Sequence, residues 1–242
     1  ADRLPVSKLY YMGPMFRYER PQKGRYRQFQ QFGVEAFGST SPLLDAEVIS
    51  YGVSVLKALK ISDVDVHINS IGDEESKVLY REALVDYLSD KMDHLCHDCK
   101  NRYESNPLRI LDCKIDGGGE ILNNAPKPIE YLTPEDKEHF VQVVRYLDAQ
   151  GIKYTIDHSL VRGLDYYTHT VFELKANLDS LGAQNTICGG GRYNKLVETL
   201  GGPSVPGVGF AFGMERLMFA LESIDFKFLT SSIFIFLFSS AL

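Results

Sequence analysis

Three separated segments of the chain carry residues that could bind a phosphorylated nucleotide and a small polar ligand. The first contains Arg17, the basic interval 19–27 and the segment 28–35, which includes Phe29 and Glu35. Guanidinium groups match phosphate oxygens bidentately, and a flat aromatic ring offers a stacking surface for a base. These residue types indicate a nucleotide site, although the same stretch by itself also fits a solvated hairpin tip with scattered arginines.

The second segment, LVRGLDYYT at 160–168, places Arg162 shortly before Tyr166 and Tyr167. Such a run could set a cation and two phenols around a small polar ligand. It also fits a turn that leads into an edge strand with ordinary tyrosine packing, and both interpretations stay open on the residues alone.

The third segment, GVGFAFGMERL at 207–217, is a glycine-containing strand that enters a helix with Arg216 in its first turn. Glycines allow a close backbone approach, and an arginine at a helix start can hold phosphate. The segment lacks both the phosphate-loop and the dinucleotide-binding fingerprints. A weaker pattern of the same kind is the glycine triplet 189–191, which is followed by Arg192.

The elements around these segments predict an α+β fold in which an antiparallel sheet carries a helical insertion. Strands are predicted at 8–18, 28–37, 64–68, 153–156, 166–175, 186–188 and 208–212, and helices at 44–60, from near residue 192, and at 213–222. The chain is expected to divide into a first part of the catalytic core (1–72), a helical insertion domain (73–157), a second part of the core (158–223) and a truncated or atypical tail (224–242).

Composition excludes several classes of protein. Of the 242 residues, 44% are hydrophobic and 24% are charged, which argues against disorder, and no apolar run is long enough for a membrane span. The formal charge of −6 is not that of a uniformly basic nucleic-acid coat, so a polyanionic partner must meet a local patch. Four cysteines in a chain of this length, without a signal peptide, predict a cytoplasmic location.

The three segments together resemble a known family. The run 11–35, with FRYERPQKGRYRQF, is similar to motif 2 of class II aminoacyl-tRNA synthetases, and specifically of the histidyl-tRNA synthetases. Residues 160–173 resemble the histidine-specific motif, and residues 207–217 resemble motif 3. The resemblance implies ATP-dependent activation of L-histidine to histidyl-adenylate and transfer to the 3′ end of tRNA(His). It also implies Mg²⁺ accompanying ATP as substrate, and a homodimer in the full-length parent.

The resemblance also implies a role for each matching residue. By position, the catalytic residues are Arg162 and Arg17; the histidine-binding residues are Arg17, Gln31, Glu35, Arg162, Tyr166 and Tyr167; and the ATP-binding residues are Arg17, Glu19, Arg25, Phe29 and Arg216. Elementary chemistry agrees with the arginines in this set. Attack of a carboxylate on a phosphate brings two anions together and therefore requires charge neutralisation.

Two departures from the family pattern are expected. Motif 1, which forms the dimer, and the anticodon-binding domain both lie outside these 242 residues, so the chain is expected to be a fragment of the catalytic domain. Two alternatives remain. One is a non-catalytic relative that regulates ATP phosphoribosyltransferase in histidine biosynthesis, and the other is a fragment that binds ATP or histidine without turnover.

The cysteines of the insertion offer a possible metal site. His94, Cys96, His97 and Cys99, with Cys113 later in the chain, could form a zinc knuckle, since the C-x-x-C pair supplies half of a tetrahedral zinc site. The second half is incomplete in the sequence. We therefore predict a helix end with reduced cysteines and no metal site.

Overall fold

The computed structural model describes residues 6–18, 26–161, 166–178 and 185–224. In this part of the chain, seven strands form one sheet in the order β1-β2-β7-β6-β5-β3-β4. The strands are β1 (Ser7–Phe16), β2 (Gln28–Phe37), β3 (Val64–Ser70), β4 (Thr155–Ile156), β5 (Thr168–Ala176), β6 (Thr186–Arg192) and β7 (Gly207–Gly213). Neighbouring strands are antiparallel except β3 and β4, which are parallel, so the predicted α+β class with an antiparallel sheet is confirmed.

The described helices begin at the signals that the sequence carries. They are α1 (Pro42–Ala58), α2 (Glu74–Leu88), α3 (His97–Ser105), α4 (Glu120–Asn123), α5 (Pro134–Ala149), α6 (Leu196–Thr199) and α7 (Met214–Ser223). The hydroxyl of Ser41 caps α1 and that of Thr133 caps α5, and proline occupies the first turn of both helices. None of these helices combines the length and apolar character that crossing a bilayer requires.

One face of the sheet, the core face, is covered by helices. Val34 and Phe32 of β2 lie opposite Phe210 and Phe212 of β7, and Phe172 continues the apolar layer on β5. The apolar sides of α1, α5 and α7 pack into the same cluster of buried residues. Burial of this surface is the main stabilising contribution to the sheet and its helices.

A second, smaller cluster of buried residues lies within the predicted insertion. Its members come from α2, from α3, from the turns before and after α3, and from one position past the predicted boundary: Tyr80, Leu84, Leu88, Leu95, Cys99, Ile110, Leu111, Cys113, Ala125 and Val161. Helix α5 falls inside the predicted 73–157 boundary, yet its buried residues join the main cluster. The division into domains stays a prediction, and nearly all of the 224–242 tail lies outside the described residues.

The end of β6 corrects the expectation of a helix near Arg192. The glycine triplet continues as a strand, and Arg192 itself pairs with Val208 of β7; the next helix begins only at Leu196. The Arg192 side chain is fully buried. Its Nε donates to both carboxylate oxygens of Asp45 at 3.0 and 3.1 Å, and its Nη1 donates to the Ser39 carbonyl at 2.9 Å. This pairing holds residue 192 in the extended strand and ties β6 to the start of α1.

Replacing Asp45 by Asn should destabilise the fold by about 3–5 kcal/mol, because the guanidinium of Arg192 would then be buried without its counter-charge. Urea unfolding followed by circular dichroism measures the change. The matched control is Glu47→Gln on the same helix, which removes the half-exposed partner of Lys8. That change should stay within about 0.5 kcal/mol. Equal effects of the two substitutions would contradict the structural role of the buried pair.

Candidate active site

The face of the sheet opposite the core face is lined by glycines and carries the predicted ligand-binding side chains of β2. In antiparallel strands, directly opposed residues project to the same side. Glu35 lies opposite Gly209, which lies opposite Gly191, and two residues earlier on β2, Gly33 lies opposite Ala211. We call this side of the sheet the glycine face. Because these positions carry little or no side chain, the Glu35 carboxylate and the rings of Tyr11 and Tyr167 can pack closely against the strands there.

Glu35 sits at the centre of a tyrosine-walled slot on the glycine face. The hydroxyl of Tyr193 donates a hydrogen bond to Oε2 of Glu35. Tyr166 lies 4.6 Å from Tyr167 and 6.1 Å from Tyr193 between ring centroids. The ring of Tyr167 covers Gly191, so closely that a Cβ on that glycine would lie 2.7 Å from the ring. The structure thus brings together three predicted histidine-binding residues, Glu35, Tyr166 and Tyr167.

The slot has an acceptor at its centre and donors on its walls. Burial raises the pKa of Glu35 above its ordinary value, and the hydrogen bond from Tyr193 partly offsets this shift. Burial, followed by the charges of Glu35 and Tyr167, raises the pKa of Tyr11 to about 12. Burial and the neighbouring Glu35 also raise the pKa of Tyr193. These two phenols therefore stay protonated at neutral pH, and a partly buried carboxylate is available to accept hydrogen bonds from a polar ring.

The predicted nucleotide-binding residues of β2 lie towards the other end of the same face. Phe29 is six residues from Glu35 on β2, which corresponds to about 20 Å along the strand. The guanidinium of Arg17 lies over the Phe29 ring at 3.8 Å, and its Nε donates to the carbonyl of Tyr26 at 2.7 Å. Gln31 lies between Gly13 and Gly213 on the neighbouring strands. The structure thus joins Arg17 to Phe29 and places Gln31 between them and the slot.

Arg216 lies at this same end, in the first turn of α7. Its Nη1 donates to the carbonyl of Thr186 at 2.7 Å, where β6 begins. The preceding residue, Glu215, accepts a hydrogen bond from the Gln30 backbone N–H at 2.7 Å, which ties the helix start to β2. A phosphate that binds Arg216 has to compete with the Thr186 carbonyl.

Three of the predicted residues, Arg162, Glu19 and Arg25, lie outside the described residues. A polar cavity of about 110 Å³ lies between strand β5 and the described segment that ends at Val161. Leu160 and Val161, which precede Arg162, form one wall of this cavity, and Glu173 and Lys175 of β5 line another.

Sequence reasoning missed two members of the slot, Tyr11 and Tyr193. Tyr11 lies on β1 opposite Gly33, and its ring occupies the space that a side chain at Gly33 would need. Tyr193 follows the glycine triplet and Arg192 directly, and Gly207 on β7 provides the space for its ring. The available signal was the run GGGRY itself, but only the strand register shows that its tyrosine reaches Glu35.

Comparisons with known proteins agree on one family. Residues 2–217 match the family described as Histidyl-tRNA synthetase. The Histidine–tRNA ligase of Halothermothrix orenii is 55% identical over 221 residues, covering 91% of this chain and 52% of that protein. The Histidine–tRNA ligase of Bacillus licheniformis is 51% identical over 227 residues, covering 94% of this chain and 54% of that protein. The crystal structure of apo S. aureus histidyl-tRNA synthetase has a TM-score of 0.74 at 44% identity, covering 93% of this chain and 53% of that one. The chain thus spans about half the length of these relatives.

Replacing Gly209 by Ala should destabilise the protein by about 1–3 kcal/mol, because the new Cβ would lie 2.5 Å from the backbone carbonyl oxygen of Val34 and would also overlap Oε2 of Glu35. The control is Gly13→Ala on the same face, where an added Cβ meets no atom within 4 Å. That change should be neutral or slightly stabilising, since alanine in a strand loses less backbone entropy than glycine. Urea unfolding of both variants measures the difference, and equal midpoints would contradict the close packing at Gly209.

Replacing Glu35 by Gln should stabilise the protein at neutral pH and do so less in acid. Because folding raises the pKa of Glu35, the unfolded chain loses this proton at a lower pH than the folded protein, so stability falls as the pH rises through that window. The neutral amide removes this dependence. The stability advantage of Glu35→Gln, measured by urea unfolding, should grow from about pH 4 to about pH 7.

The control for this pH dependence is Glu82→Gln, a substitution at an exposed position of α2. Its effect on the unfolding midpoint should be small across the same range. An advantage of Glu35→Gln that is largest in acid would show that the carboxylate is stabilised, not destabilised, by its surroundings.

Proposed function

The chain belongs to the histidyl-tRNA synthetase family, and on this premise we propose that it carries the catalytic core of a histidine–tRNA ligase. In the proposed first step, a carboxylate oxygen of L-histidine attacks the α-phosphorus of ATP. The bond to the β-phosphate oxygen breaks, which yields histidyl-adenylate and pyrophosphate. In the second step, a hydroxyl of the 3′-terminal adenosine of tRNA(His) attacks the activated carbonyl, and AMP leaves.

The observation that carries this proposal is the slot around Glu35. An imidazole ring offers two nitrogens, of which at least one bears a proton, so a site that selects it needs a buried acceptor at a fixed place. Glu35 supplies the acceptor, and the hydroxyl of Tyr193 holds that carboxylate in place. Tyr166 and Tyr167 form the walls beside the imidazole ring in this proposal. A site whose polar groups stay unpaired with the wrong substrate rejects that substrate strongly. The tyrosine-walled slot therefore favours histidine over other amino acids.

The layout of the glycine face supports a separate place for ATP. We assign Phe29 to the adenine and Arg17 to the α-phosphate, with Glu19 and Arg25 as further nucleotide contacts. Gln31 lies between the slot and Phe29, which suits its proposed contact with the α-amino group of histidine. Arg216 is assigned to the distal phosphates. Mg²⁺ would enter with ATP as part of the substrate.

Catalysis in this proposal depends on alignment and charge. The attacking carboxylate and the α-phosphate are both anionic, so cations fixed beside them lower the barrier more than a covalent protein group could. Arg17 reaches this region from β1. Arg162 is proposed as the chief catalytic residue on the resemblance of its motif, and it follows Val161 directly in the sequence.

The remaining features of the proposal concern the complete protein. We propose that it acts in the cytoplasm and forms a homodimer, and that the 73–157 region contacts the acceptor arm of tRNA(His). We also propose that the chain divides into two parts of the catalytic core (1–72 and 158–223), a helical insertion domain (73–157) and a tail (224–242).

A regulatory subunit of ATP phosphoribosyltransferase is the second candidate. The ligase is favoured because the chain retains the insertion, Glu35 and the complete histidine-specific run 160–173. The two curated relatives above, at 51% and 55% identity, are both named Histidine–tRNA ligase.

Histidine-dependent exchange of labelled pyrophosphate into ATP tests the proposal. We expect the complete protein to support exchange with histidine and with no other amino acid, and Arg162→Ala to lower it by about a hundredfold or more, as for the loss of a transition-state cation. Arg162→Lys should also lower the exchange rate, because the point charge of an ammonium group cannot replace the planar guanidinium with its paired donors. The control, Arg145→Ala, changes an exposed arginine of α5 and should leave exchange unaltered.

Three outcomes would contradict parts of this proposal. Absence of exchange by the complete protein with every amino acid would favour the regulatory subunit, and exchange unchanged by Arg162→Ala would remove the assigned role of that arginine. Exchange that another amino acid supports equally well would contradict the role of the slot.

A further inference from the structure

Four metal-ligating side chains lie close together in the predicted insertion 73–157, and the proposed active site uses none of them. The thiols of Cys96, Cys99 and Cys113 and a carboxylate oxygen of Asp116 all lie within 4.8 Å of one another. Cys99 and Cys113 are buried, and Cys96 and Asp116 are partly buried. Asp116 completes a pattern C-x₂-C-x₁₃-C-x₂-D and is the one ligand of the four that sequence reasoning missed.

Two of the distances between these ligand atoms are close to those of a tetrahedron around one zinc ion, and all of them are at most 4.8 Å. With Zn–S bonds of about 2.3 Å and a Zn–O bond of about 2.0 Å, tetrahedral ligands lie about 3.8 Å apart for two sulfurs and about 3.5 Å apart for sulfur and oxygen. The Sγ atoms of Cys96 and Cys113 are 3.7 Å apart, and Cys113 Sγ is 3.8 Å from Asp116 Oδ2. A disulfide would require about 2.05 Å between the sulfurs.

The backbone around the four side chains is arranged as metal sites require. The N–H of Asp116 points at the sulfur of Cys113 at 3.5 Å, and the N–H of Cys96 donates to Oδ2 of Asp116 at 3.0 Å. Such bonds orient ligands and stabilise thiolates. Immediately after Asp116, the Gly117 N–H bonds to the Cys113 carbonyl at 2.8 Å, and a Cβ on Gly117 would overlap that oxygen. The glycine triplet 117–119 thus allows the loop to close around the cluster.

The neighbouring histidines are not part of the cluster. His97 is 87% exposed at its side chain and His94 is also exposed. The fourth cysteine, Cys188, lies in the main core on β6. The ligand set is therefore three sulfurs and one oxygen, a combination that suits zinc, since thiolates exclude Mg²⁺ and Ca²⁺.

We propose that Cys96, Cys99, Cys113 and Asp116 bind one structural Zn²⁺. Four protein ligands fill the tetrahedron, so the ion has no open position for a substrate. It joins the start of α3 to the loop that precedes α4. This part of the chain has short helices and a small buried cluster, so a metal crosslink compensates for limited apolar burial.

Metal analysis of the complete protein, purified with a reductant and without a metal-affinity tag, tests this site. Mass spectrometry of the elements should find about one zinc per chain. Cys99→Ser and Asp116→Asn should lower this content, whereas His97→Ala and Cys188→Ala should retain it. A chelator should lower the thermal midpoint of the natural protein and of His97→Ala alike, and leave that of Cys99→Ser unchanged.

Cobalt keeps the test independent of how well the cysteine variants fold. Co²⁺ added to the chelated natural protein should produce a thiolate-to-cobalt charge-transfer band and the intense visible absorption of a tetrahedral site. Absence of zinc together with absence of this band would overturn the proposal. So would zinc content unchanged in Cys99→Ser, or a Cys96–Cys113 disulfide in protein prepared without reductant that persists when zinc is supplied.

Discussion

The candidate site depends on the register of an antiparallel sheet whose central strands carry glycine on one side. The Glu35 side chain can lie over β7 because the residue directly opposite it, Gly209, has no side chain, and neither has Gly191, which lies opposite Gly209. The rings of Tyr11 and Tyr167 pack closely over Gly33 and Gly191, where side chains would exclude them. A shift of one residue in this register would turn Glu35 to the helix-covered face and apolar side chains to the slot. The apolar burial of the core face therefore also sets the geometry of the site.

Behind the sheet, a chain of buried polar groups links its strands to three helices. Burial raises the pKa of Asp45, but His139 and Arg192 more than compensate and hold it below its ordinary value. The ring of His139 stacks on that of His169 at 5.1 Å, and Nδ1 of His169 lies 2.7 Å from Asp136. Asp136 in turn accepts from the hydroxyl of Ser76 at 2.6 Å. This network connects α1, α5, α2 and β5, and so couples the position of α2 to the sheet that carries the slot.

The sheet and the segment between α2 and α5 are stabilised by different means. The sheet and its covering helices share a large apolar cluster, whereas the segment between α2 and α5 contains short helices and 3-10 turns and contributes to a small cluster. A zinc crosslink at Cys99 and Asp116 would suit the second case, because the crosslinked segments bury little apolar surface of their own. The glycine triplets at 117–119 and 189–191 illustrate the same contrast. The first closes a turn, while the second is extended between two strands, and their sequences alone look alike.

The sequence by itself determined the fold class, most of the strands and the segments that carry chemistry. Alternating aromatic and polar residues, capping residues and charged motifs are local signals, because each depends only on residues that are close together in the sequence. Only the tertiary structure decided which residues meet. Arg192 was expected to begin a helix. Its partner Asp45 is 147 positions away, so no local pattern shows the pairing that holds Arg192 in a strand. Tyr193 reaches Glu35 across 158 positions, and Asp116 reaches Cys96 across 20. Such contacts follow from strand register and loop closure, which depend on the packing of the whole chain and leave no periodic trace in the residues themselves.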